Sequence, residues 1–167
     1  MARYVVVPER SRVWAEARSS IHPIRVETTG FEGQLEAEVV DGQLCLLPPT
    51  SIELAVSLLK SNNGLVDVEL QRKLEARRYP RIQGRLREAK PAPGSRCLLH
   101  GDLTFHGVSR PMEVEVLVRA PDADTLEVEG EKTIDMREFN LVPPRFLVFK
   151  VEPTVRIRAK LVGRRQA

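Results

Sequence analysis

The chain is short of the side chains that most often carry chemistry: three histidines, two cysteines and one tryptophan in 167 residues. His22, His100 and His106 share neither H-x-H nor H-E-x-x-H spacing, so the pattern assigns no metal site. A G-x-S-x-G elbow, a phosphate-cradling glycine loop and a Cys/His pairing are all missing, and no catalytic residue or cofactor is assigned. Cys45 and Cys97 lie far apart, each in an apolar strand-like run, and read as buried free thiols rather than a bridge. No apolar run approaches the ~20 residues of a spanning helix. Pro8, Glu9 and Arg10 interrupt the N-terminus before a leader core can form, and with Met1 in place the expectation is a cytoplasmic protein. Two tyrosines and five phenylalanines complete the aromatics, so bulky core fillers are scarce.

The net charge of +3 balances 26 basic against 23 acidic residues, which gives no argument for nucleic acid. Arg156, Arg158, Lys160, Arg164 and Arg165 form a basic C-terminal stretch. It reads as one solvated strand face plus a tail, with a contact to anionic lipid or nucleic acid as the alternative.

Period-two alternation dominates what is present. Tyr4 to Val7 is a short β-branched run. Val13, Ala15 and Ala17 alternate with Arg12, Trp14, Glu16 and Arg18. Leu35, Ala37 and Val39 alternate with Gln34, Glu36 and Glu38 before the Asp41-Gly42 turn. Pro48-Pro49 is read as a strand end, after which Ile52, Leu54, Val56 and Leu58 point inward. Ile82, Gly84 and Leu86 follow the same rule, as do the runs Cys97 to His106 and Met112 to Arg119, Thr125 to Ile134, Phe146 to Val151 after a Pro143-Pro144 break, and Thr154 to Val162. One segment departs from it. Val66, Leu70 and Leu74 recur every four residues and predict a single amphipathic helix over about 65–78, ending before Tyr79-Pro80. The outward acidic positions Glu113, Glu115, Glu127 and Glu129 predict that the basic last strand lies beside one of the acidic strands. The whole of 1–167 reads as one domain: all-β, an antiparallel sandwich or barrel.

The run GDLTFHGVSRP, Gly101 to Pro111, reads as a strand and tight turn with Leu103 and Phe105 facing inward. It closely resembles the signature of the YceI-like family of polyisoprenoid-binding proteins. Further stretches are similar to that family in the same order: Ser11-Arg12-Val13, Gly30 to Leu35, Ala76 to Ile82, and Thr133 to Leu141. Met136 stands where the family pattern usually has Arg, and Asn140 where it has Gly. The Phe-Phe pair that usually precedes Tyr-Pro is missing.

The resemblance implies an eight-stranded lipocalin-like β-barrel around an apolar tunnel. It also implies non-catalytic binding, storage or transport of an isoprenoid or other long-chain lipid, such as a polyprenyl phosphate or a quinone-like molecule. The expected lining is Val13, Ala15, Ala17, Leu35, Ala37, Leu54, Val56, Ile82, Leu86, Leu99, Leu103, Phe105, Val114 and Val116, with His106 and Arg110 at a polar mouth. Small members leave such a barrel open, and the same set would equally fill an ordinary core. His106 alternatively orders its own hairpin, and Arg110 is alternatively solvated or ion-paired. The rivals are a lipid hydrolase or isomerase, and an empty scaffold that docks protein through Trp14 or the basic strand. Transient membrane contact and a homodimer are the remaining partner expectations.

Overall fold

Alternating apolar and polar residues make strands that bury one face, and here the sheet they form closes on itself. The computed structural model describes residues 2–142, 145–146 and 149–167. The strands are β1 (Ala2–Val6), β2 (Arg12–Ser19), β3 (Ile24–Thr28), β4 (Phe31–Val40), β5 (Gln43–Ala55), β6 (Arg81–Ala92), β7 (Arg96–Phe105), β8 (Val108–Asp122), β9 (Thr125–Asp135), β10 (Arg145–Phe146) and β11 (Phe149–Arg165). The order β1-β4-β5-β6-β7-β8-β9-β11 returns to β1, which makes an antiparallel ring of eight strands. The expected all-β barrel is therefore present. The Pro143-Pro144 break lies outside the described residues.

β11 carries the closure. One edge pairs with β9 from Thr154 to Arg164. The other is shared between β2, up to Lys160, and β1, from Gly163 onward. β1 and β2 are thus two pieces of one partner, interrupted by the short 3-10 turn Pro8–Arg10. Buried Ser11 stitches the break: its hydroxyl donates to the Val7 carbonyl at 2.8 Å and accepts from the Val162 N–H at 2.9 Å. β3 adds to the free edge of β2.

The outer face of β11 meets acidic β9 as the charge pattern predicts. Arg156 pairs with Glu131, Arg158 reaches Glu131 at 3.5 Å, and Lys160 reaches Glu129 at 3.7 Å. The hydrogen bond from Arg156, ahead of the coulombic pull of Arg156 and Arg158, holds the Glu131 carboxyl below the usual carboxylate range.

Several expectations are corrected. β5 does not end at Pro48-Pro49. Four steps along β5, Leu47 to Ser51, oppose two steps along β4, Glu36 to Gln34, so the prolines sit in a bulge. Proline has no N–H to lend to the ladder, and Thr50 takes over. Its hydroxyl accepts from the Glu36 N–H at 2.9 Å and donates to the Leu47 carbonyl at 2.7 Å. Glu36, read as an outward residue, is buried and is held by Arg3 at 2.6 Å. Val56–Leu58 turns as a 3-10 segment, which leaves Leu58 half exposed.

The helix α1 (Gly64–Lys73) is shorter than expected, because Glu75 takes a left-handed φ of 49° and ends it. Its Asn63 side chain caps the Leu65 and Val66 N–H groups. The stripe Val66, Leu70 and Leu74 packs as its period requires. The last strand is also longer than read: the stretches Phe149–Val151 and Thr154–Val162 are one strand with an irregularity between Val151 and Val155.

The cysteines are not free thiols. Cys45 and Cys97 form a fully buried disulfide, with Cα atoms 5.5 Å apart. The strands that carry them are not neighbours in the ring. The β5–β6 ladder stops at Ser51–Arg85, and beyond it the bridge spans from β5 to β7. It closes a separation of 52 residues, so replacing both cysteines by alanine is expected to cost about 2–4 kcal/mol. Urea unfolding of that double variant measures the loss, and an unchanged midpoint would contradict the assignment.

Candidate functional site: an apolar cavity in the barrel

Two apolar clusters fill the ends of the barrel. One is built around Tyr4, Leu35, Leu46, Cys97, Leu126 and Leu161. The other holds Val56, Val66, Leu74, Ile134, Met136 and Phe139, so α1 closes that end. Between them the side chains do not meet. A cavity of about 270 Å³ remains, lined by Leu35, Leu46, Ile52, Leu86, Leu99, Leu103, Met112, Val114, Val116, Val128, Ile157 and Leu161 among others.

The opening follows from residue size. Gly84 and Ala159 stand in this wall, where alternation would otherwise place branched side chains, whereas a Cβ at Gly101 or Gly130 would already strike the Arg85 carbonyl or Val116 Cγ1. A Cβ at Gly84 would meet only Ile52 Cγ1, at 3.6 Å, so the space before it is free. Arg85, Asp102 and Glu131 also border the cavity, but they alternate with its inward residues and lie on the outer face. There Asp102 pairs with Arg87 at 3.0 Å.

A larger concavity of about 750 Å³ runs along β1, β4, β5 and β6. It is lined by Glu32, Gln34, Glu53, Gln83 and Arg85 as well as by apolar residues, so it is wet and mixed. A hydrocarbon chain gains most where water is excluded, which favours the interior cavity as the candidate site.

Of the expected lining, Leu35, Leu86, Leu99, Leu103, Val114 and Val116 reach the cavity. Ala17, Ala37 and Val56 are buried in the packed ends, and Val13, Leu54, Ile82 and Phe105 pack against them. Ala15 lies opposite Ile157 in the β2–β11 ladder. β2 joins β11 beyond the Pro8–Arg10 break, and its Val13, Ala15 and Ala17 do not line the cavity. Met112, Val128, Lys132, Ile157 and Leu161 were missed as lining, although period-two alternation with Val114, Val116, Ile134 and Val155 points each of them inward.

His106 and Arg110 are not cavity residues. His106 and Gly107 form a two-residue turn with φ of 54° and 74°, the left-handed geometry that suits a hairpin. A Cβ on Gly107 would come within 2.6 Å of Tyr79. The His106 Nδ1–H donates to the Phe139 carbonyl at 3.1 Å, and Nε2 faces Glu75 Oε2 at 2.6 Å. Tyr79 packs edge-on against the imidazole with centroids 4.8 Å apart. Arg110 Nε donates to the Glu138 carbonyl at 2.9 Å. The turn therefore fastens the β7–β8 hairpin to the Met136–Phe139 turn and to the segment after α1, whereas the hairpin-ordering alternative has His106 bonding to neighbouring backbone. Asn140 takes the left-handed φ of 56° expected at a glycine position, and Met136 is buried among apolar residues. The guanidiniums of Arg12 and Arg158 lie over the Trp14 ring, at 4.8 and 5.1 Å.

The YceI-like domain model matches residues 4–163. The chain belongs to the YceI-like family. Its barrel is similar to BcnA of Burkholderia cenocepacia, with a TM-score of 0.81, 20% identity, and 94% of this chain and 98% of that one covered. A polyisoprenoid binding domain from Saccharophagus degradans superposes with a TM-score of 0.76 at 13% identity, covering 99% of this chain and 100% of the other. The YceI protein of Campylobacter jejuni gives 0.68 at 11%, covering 82% of each. No curated protein matches the sequence. At these identities the structures share the fold of this YceI-like chain.

Because His106 joins two elements through its ring nitrogens, His106→Ala is expected to lower stability by about 1–3 kcal/mol. Urea denaturation measures it. A variant as stable as the wild type would mean that the turn is not fastened in this way.

Proposed function

We propose that this YceI-like protein binds the apolar tail of an amphipathic isoprenoid lipid in the barrel cavity and holds it without making or breaking bonds. The single observation that carries this reading is the aliphatic cavity left between two well-packed ends, where a filled core would be the default for so many branched residues. A polyisoprenoid binding domain among the similar structures supports the same class of ligand.

The magnitudes suit sequestration. Each buried methylene contributes about 0.8 kcal/mol, so one isoprene unit contributes roughly 3–4 kcal/mol at most. The cavity volume lies just below the roughly 300–1,000 Å³ of typical small-molecule sites. It therefore takes a short prenyl chain or the end of a longer one, and longer tails require the barrel to open.

The enzymatic rival needs an acid and a base converging on a lipid. The inward positions of the cavity wall offer Lys132 with no carboxylate partner among the described residues. The scaffold rival rests on Trp14, whose ring two arginines cover, or on the basic strand, whose Arg156, Arg158 and Lys160 pair with carboxylates of β9. The Cys45–Cys97 bridge belongs to the kind that persists in oxidising compartments, and it weighs against the cytoplasm as the working location.

Gly84→Leu puts a side chain into free space without a backbone clash. It is expected to weaken prenyl-chain binding by about 100-fold, the equivalent of roughly 3 kcal/mol of lost tail burial, while the variant stays folded. Native mass spectrometry and titration with farnesol read the effect. Equal binding by a folded Gly84→Leu protein would place the ligand elsewhere.

A further inference from the structure

The β8–β9 ladder runs from Asp122–Thr125 to Val116–Gly130 and stops there. Beyond it, Val108–Glu115 of β8 pairs with β7, while Glu131–Asp135 of β9 pairs with β11. The two strands part, and the far end of the gap is crossed by the hydrogen bond from Arg110 to the Glu138 carbonyl. What remains is a window in the barrel wall. Met112 and Val114 stand on its β8 side and Lys132 on its β9 side, and all three line the cavity.

Lys132 shares its face with Val128, Gly130 and Ile134, and its register partner is inward-facing Ile157. It is half-buried, and it makes no hydrogen bond or ion pair among the described residues. The nearest carboxylate in sequence, Glu131, lies on the opposite face and is engaged by Arg156 and Arg158. Arg110, at inward parity on β8, is exposed to solvent and donates to the Glu138 backbone carbonyl. Lys132 is thus a cation beside an aliphatic cavity whose charge the surrounding protein does not balance. A partly desolvated ammonium lacking a counter-charge favours an anion placed at the same depth.

We infer that Lys132 anchors the anionic head group of the bound lipid at this window, so the ligand is an isoprenoid phosphate or carboxylate rather than a neutral quinone-like molecule. The inference rests on the tail-binding reading above. It places the tail in the cavity and the head at the gap between β8 and β9.

The test compares farnesyl phosphate, farnesoic acid and farnesol by titration calorimetry on wild type, Lys132→Met and Lys132→Arg. Methionine keeps an unbranched stem and removes the charge. The expected result is that Lys132→Met raises the Kd ratio of farnesyl phosphate to farnesol by about tenfold or more, the scale of a charge-assisted hydrogen bond, and that Lys132→Arg restores it. Farnesoic acid shifting alone would assign a carboxylate head, and both anions shifting a general anion anchor; either supports the inference. An unchanged ratio for both anions would overturn it while leaving tail binding intact. Failure of all three ligands to bind wild type would overturn the tail-binding reading itself. Inorganic phosphate binding with the same Kd as farnesyl phosphate would also overturn the inference, by making the site an ion site independent of a tail.

Discussion

Everything in this barrel depends on β11. An antiparallel sheet with two free edges has unpaired backbone groups along both, and one long strand here removes that problem for the ring. Of its 17 residues, Thr154 to Arg164 pair with β9 on one side, and the other side is shared by β2 and β1. The sharing is possible because Pro8–Arg10 interrupts the N-terminal partner and Ser11 repairs the hydrogen bonds at the break. The outward Arg156, Arg158 and Lys160 then fix β11 beside acidic β9. A one-residue slip would turn those cations inward.

Closure brings its own constraint. Two ladders in the ring stop short, β5–β6 beyond Ser51–Arg85 and β8–β9 beyond Val116–Gly130. The disulfide spans the first gap, and the Arg110–Glu138 contact crosses the second. Between these tied ends the interior is under-filled, because glycine at 84 and alanine at 159 occupy wall positions. Cavity and window therefore share an origin in strands that part and in side chains too small to fill the space between them. Close packing at both ends keeps that space from collapsing.

Much of this was legible in the sequence. The β7–β8 hairpin announced itself through Leu103 and Phe105 followed by a glycine, and the partner of the last strand through its charges. The family resemblance supplied the choice of a barrel over a sandwich, which alternation alone cannot make. What escaped reading depended on contacts distant in the chain. Cys45 and Cys97 meet across strands that are not neighbours, so no spacing rule points to the bridge. Pro48-Pro49 ends strands by local rules, yet the Thr50 hydroxyl beside it accepts from Glu36, 14 residues away in the chain, and donates to the Leu47 carbonyl. The helix stripe ran true to Leu74, but the left-handed Glu75 stopped it before the expected boundary. Lys132 sits in a polar stretch, Glu129 to Thr133, where its inward parity with Val128 and Ile134 is masked by its charge, and pairing with Ile157 makes it plain. His106 stood in the most distinctive motif of the chain, and its work is to fasten a hairpin.

The central claim is that the interior holds a hydrocarbon chain, and chain length is the variable that tests it most directly. Calorimetric titration with prenyl alcohols of increasing length is the measurement. The account predicts that affinity rises with each added isoprene unit until the cavity is full and then levels off, with a negative heat-capacity change growing over the same range. An affinity that is absent, or that does not change with tail length, would contradict it.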